Sequence, residues 1–215
     1  MEHFLAFSLQ DLPYVVMTLI VAFTLHEFAH AYVAYLFGDH TAKKQGRLTL
    51  SPLAHLDPFG TLLLIIAGFG WAKPVPVNRY FFKKPRLAGI LVSIAGPFSN
   101  LLLAFIGLLI YYLMNNAAVD NDALYRFFTL FIQINLTLGV FNLLPFPPLD
   151  GYRVIEDLVP SSTRAKMTQY ESWGIFVFLI LVITPLDRIV IWPLLNGAAT
   201  FVMNIFQQIL ALLIY

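Results

Sequence analysis

The chain has 215 residues, of which 59% are hydrophobic and only 12% charged, with a mean hydropathy of +0.76; soluble domains carry roughly a quarter charged residues, so an ordinary soluble protein is excluded. The net charge of +1 gives no reason to expect nucleic acid as a partner, and with no cysteine any metal must be held by His, Asp or Glu. The expected architecture is an all-α polytopic membrane protein, one domain over residues 1–215, with a bundle of about five transmembrane helices of roughly 20 residues each.

The first predicted span covers residues 12–37. It is apolar except for a few Tyr and Thr and the run His26-Glu27-Phe28-Ala29-His30. In a helix, His26 and His30 stand at i and i+4 on one face, with Glu27 turned partly aside. That spacing suits two imidazole ligands on a Zn²⁺ and a carboxylate able to take a proton from water. A single intramembrane His could serve merely to hydrogen-bond helices together. Three ionisable groups within five residues at membrane depth are costly and point to function.

Gly38-Asp39 ends that span. Residues 45–56 alternate loosely, which predicts a short strand or hairpin, and 61–69 are apolar but too short to cross, which predicts a re-entrant or interfacial segment. Residues 71–78, Trp-Ala-Lys-Pro-Val-Pro-Val-Asn, read either as an edge strand lacking some donors, able to receive a peptide strand, or as a proline-stiffened loop. The basic cluster Arg79, Lys83, Lys84 and Arg86 reads as a headgroup-contacting flank.

The second span, residues 87–114, contains Gly89, Ser93, Ala95, Gly96 and Ser99, small residues that permit close helix approach. Asn100, one turn beyond Gly96, reads either as an interhelical hydrogen-bonding residue or as a substrate contact. The third span, residues 124–144, runs into Asn142-Leu-Leu-Pro-Phe-Pro-Pro-Leu-Asp150-Gly151, whose prolines stop the helix. Asp150 there could cap the next helix or, given a two-His motif short of a ligand, complete a metal site. Two further helices are expected at about 167–184 and 188–214.

Segments 38–86 and 145–171 hold 11 of the 13 Lys and Arg residues. The positive-inside rule places these segments in the cytosol and the N-terminus outside, so the end of the first span and the Asp150 turn share one side of the bilayer.

Three motifs, His26-Glu27-Phe28-Ala29-His30, Ser93-Ile-Ala-Gly-Pro-Phe-Ser-Asn100 and Asn142 through Gly151, occur in this order. Together they make the chain resemble the site-2 protease family of intramembrane zinc metalloproteases over about residues 10–160, in a short form without PDZ or CBS domains. The resemblance implies one Zn²⁺ bound by His26, His30 and Asp150, with Glu27 as catalytic base. It implies that Asn142 helps engage substrate and that the region after the first motif clamps it. The activity implied is hydrolysis of peptide bonds within or near transmembrane segments of proteins or peptides in the lipid bilayer. The rival reading is a metal channel or carrier using the same ligands, in which Glu27 would tolerate an amide.

Overall fold

The computed structural model describes residues 7–67 and 70–214, and among these every regular element is a helix. Five helices are long and apolar enough to cross a membrane: α1 (Leu12–Leu36), α5 (Pro85–Asn116), α6 (Asp122–Asn142), α8 (Ser161–Ile183) and α9 (Asp187–Ile214). Between α1 and α5 lie three short helices, α2 (Thr41–Lys44), α3 (Pro52–His55) and α4 (Pro58–Ala67), and α7 (Asp150–Leu158) precedes α8.

Local chemistry accounts for the helix limits. Proline stands in the first turn of α1, α3 and α5, where its missing N–H costs nothing. The Asn121 side chain accepts the Leu124 N–H at the start of α6, with Asp122 favourably placed at the positive end of the helix. Beyond α1, Gly38 takes a φ of +99°, which turns the chain back.

The core is an antiparallel trio. Ala22, His26 and His30 of α1 meet Asn100 and Val92 of α5 in reverse order, and Asn100 and Leu101 meet Asn135 and Gly139 of α6. Its apolar filling includes Val15, Leu19 and Phe23 against Leu64 and Ile134. The hairpin α8–α9 lies outside this trio and touches it through Phe178, Ile191 and Leu195.

The short strand or hairpin expected between the first two spans is not formed among the described residues. Residues 45–56 hold a turn at Gly46 (φ +69°) followed by α3, and most of 61–69 continues α4, residues 68 and 69 lying outside the described part. Residues 71–78 are irregular, and Pro74 and Pro76 lack donors. The Lys73 N–H goes to the His55 carbonyl, the Val75 N–H to Glu27 and the Asn78 N–H to Asp39. With three of its N–H donors spent on a carbonyl and two carboxylates, and two positions held by proline, the segment forms no strand ladder.

Candidate metal and catalytic site

His26 and His30 lie about 10 and 6 residues before the end of α1, roughly 15 Å and 9 Å by helical rise. Both rings turn toward α5, and their centroids are 4.6 Å apart. His26 Nδ1 is 2.6 Å from Asn100 Oδ1, and His30 Nδ1 is 2.7 Å from the Val92 carbonyl oxygen. Both partners can only accept, so each Nδ1 carries a proton, and in the neutral imidazole, the form that ligates a metal, each Nε2 is left with a lone pair. The two Nε2 atoms are 3.0 Å apart, and Asp150 Oδ2 lies 3.3 Å from one and 3.4 Å from the other.

Three converging acceptors repel one another unless a cation stands among them. A tetrahedral Zn²⁺ with bonds of 2.0–2.1 Å would set its ligands about 3.3 Å apart, close to this triangle. The donor set His26, His30 and Asp150 therefore fits a zinc ion, and it is the only such cluster of three among the described residues. Gly96 keeps the space open: a Cβ there would come within 2.3 Å of His30 Nε2 and 2.6 Å of His26 Nε2. Sequence reasoning took Gly96 for a helix-packing residue; its position four residues before Asn100 was the available signal.

Asp150 opens α7, and α7 is held to α5 at its other end. Asp157, two turns along, is buried and bonded to Arg79 Nη1 at 2.6 Å, with Arg164 Nη2 at 3.2 Å. Its Oδ2 faces Gly89 and has no hydrogen-bond donor among the described residues. Burial pushes the Asp157 carboxyl above its ordinary value despite the two arginines. For neighbouring Glu156 the same burial is outweighed by the Thr168 hydroxyl and Arg153, which hold its carboxyl below the usual range.

Glu27 is 7% exposed, and its Oε2 accepts the Val75 N–H at 2.8 Å. The Glu27 side chain, the three potential ligands and Asn142 all border a cavity of about 950 Å³. This cavity runs from Trp71 and Val75 past the site to Phe178, Ile191 and Trp192 of the outer hairpin. Asn142 donates its side-chain N–H to the Leu138 carbonyl at 3.0 Å. Asn100 is 1% exposed, and its amide is engaged by His26, by the Ala22 carbonyl and by Asn135, all within the bundle. Asn135 was not singled out from sequence, although an amide in an apolar span is itself a signal.

Residues 110–185 match the model of peptidase family M50. The chain is 61% identical over 214 residues to "Putative zinc metalloprotease YwhC" of Bacillus subtilis, covering 97% of this chain and 98% of that one. It is 36% identical over 175 residues to "Putative zinc metalloprotease Rip2" of Mycolicibacterium smegmatis, covering 77% of this chain and 65% of that one. A third relative, "Putative zinc metalloprotease MJ0611" of Methanocaldococcus jannaschii, is 30% identical over 135 residues, covering 62% and 64% of the two chains. No solved structure matches. With a relative of nearly equal length at this identity, and with a donor triangle suited to zinc, the chain belongs to peptidase family M50, the site-2 protease family, and is a membrane-embedded zinc metalloprotease.

Proposed function

We propose that the protein is an intramembrane endopeptidase that hydrolyses peptide bonds within or near transmembrane segments of membrane-anchored substrates. His26, His30 and Asp150 hold its one zinc ion, and Glu27 is its general base. The observation that carries this reading is the convergence of two Nε2 lone pairs and one carboxylate oxygen beside Glu27, inside a cavity of about 950 Å³ within a helical bundle. The bound ion supplies Lewis-acid polarisation of the scissile carbonyl and lowers the pKa of water toward about 7.

The chain's own residues do the rest. The Val75 N–H fixes Glu27 through Oε2, which leaves proton transfer to Oε1. Glu27 takes the proton of the attacking water and delivers it to the leaving amine. A helical substrate hides its carbonyls in i to i−4 bonds, so it must open locally before it reaches the site. Asn142 stands at the cavity wall where an opened substrate backbone would find a partner, its present acceptor being its own helix. The distribution of Lys and Arg supports an outside N-terminus and a site open to the cytosol.

Cleavage of a model single-span substrate by purified protein in detergent, compared with Glu27→Gln, tests the assignment. The amide keeps the shape but cannot take a proton, and a loss of about 10²–10⁴-fold with zinc content unchanged is expected. Equal cleavage by the two proteins removes Glu27 from the mechanism. No cleavage by either, with metal flux into liposomes, favours a metal carrier.

A further inference from the structure

Asn135 does not border the cavity, yet its amide is the far end of a chain of hydrogen bonds that ends on the imidazole of His26. Asn135 is fully buried on α6. Its Nδ2 donates to the Phe131 carbonyl at 2.9 Å, and its Oδ1 accepts from Asn100 Nδ2 at 3.2 Å. Asn100 Nδ2 also donates to the Ala22 carbonyl at 3.2 Å, while Asn100 Oδ1 faces His26 Nδ1 at 2.6 Å.

The two backbone carbonyls at the ends of this chain allow one polarity only. Phe131 O must receive N–H, so Asn135 presents Oδ1 to Asn100. Ala22 O and Asn135 Oδ1 must both receive N–H, so Asn100 presents Oδ1 to His26. His26 Nδ1 must then be the protonated nitrogen, and Nε2 is left as the lone pair directed at His30 and Asp150. Were Asn135 apolar, Asn100 would keep one fixed acceptor instead of two, and the imidazole would lose part of the restraint on its tautomer and tilt.

We propose that Asn135 is a positioning residue for the metal centre, acting through Asn100 to fix the protonation pattern and orientation of His26. The proposal rests on the assignment of His26 as a zinc ligand. The relay runs from α6 across α5 to α1, so it ties the ligand on one helix to the packing of the other two. A residue that only glued helices would contribute to stability but would leave zinc affinity alone.

The test is zinc affinity, measured by competition with a chromophoric chelator on the detergent-solubilised full chain, alongside thermal unfolding. His26→Ala is the control: if it retains zinc at the affinity of the unaltered protein, the ligand assignment fails, and the relay with it. With that control showing loss, Asn135→Leu is expected to weaken zinc binding about tenfold, the lower end of the range for losing a residue that itself bonds a metal-ligating His, because Asn135 acts one residue further out. Asn135→Asp, held neutral by burial, can still accept from Asn100 and donate its proton to Phe131 O, so it should restore affinity to within about threefold. Adding Asn135→Leu to Asn100→Ala should cause no further loss, because both act along one line. Zinc affinity unchanged in Asn135→Leu, or losses that add in the double variant, overturn the proposal. Should leucine not be accommodated, Asn135→Ala supplies the same comparison.

Discussion

At the scale of single residues, the site depends as much on an absent side chain as on those present. Gly96 sits where a methyl group would stand 2.3 Å and 2.6 Å from the two Nε2 atoms, inside ordinary contact distance. Gly96→Ala should therefore abolish or strongly reduce zinc binding while the helix, which favours Ala over Gly, keeps its helicity. Metal content by mass spectrometry together with circular dichroism checks this, and full zinc occupancy in the variant would show that the cradle is not where the triangle places it. The motif His26-Glu27-x-x-His30 was legible without a structure because one helical turn fixes its geometry. Asp150 was legible only as a candidate, since its approach to the histidines depends on where α7 docks. Gly96 and Asn135 left only a hint in the sequence: it shows that a residue is small or polar, but which helix it faces is a property of packing.

At the scale of elements, α7 carries one carboxylate near each end. Asp150 and Asp157 are seven residues apart, two turns, and so share a face. Asp157 is pressed against Gly89, where a Cβ would come within 2.1 Å of its Oδ2. Gly89→Ala should displace that end of α7, at an overpacking cost of about 1–3 kcal/mol, and should carry Asp150 away from the histidines. A lower unfolding temperature together with weaker zinc binding is the expected pair of results. A lower temperature with zinc affinity unchanged would show that the two ends of α7 move independently. The spanning helices were legible from hydropathy because each must satisfy its own backbone in the bilayer. The expected strand was not formed, because alternation over 45–56 and extension over 71–78 say nothing about partners. Three donors of 71–78 went instead to His55, Glu27 and Asp39, the last 39 residues upstream of Asn78.

At the scale of the molecule, the five long helices divide into a buried trio and an outer pair. The most apolar stretches of α1, α5 and α6 are 44%, 39% and 39% buried, those of α8 and α9 only 6% each. The cavity that holds the site is bounded by the trio on one side and by Phe178, Ile191 and Leu195 of the pair on the other. Under the proposed endopeptidase function, a helical substrate entering from the bilayer would therefore meet least packing to separate at this pair. The chain contains no cysteine, so an introduced pair gives an unambiguous cross-link. Val140 of α6 and Leu195 of α9 belong to one packed cluster. Val140→Cys with Leu195→Cys, once oxidised, should stop cleavage of a single-span substrate in liposomes, and reductant should restore it. A short water-soluble peptide, which can approach from the polar side, should be cut by the oxidised form at a rate close to that of the reduced form. Undiminished cleavage of the single-span substrate by the fully oxidised variant would place the entrance elsewhere, between α1 and the α4 region, where Phe23, Leu64 and Trp71 line the same cavity.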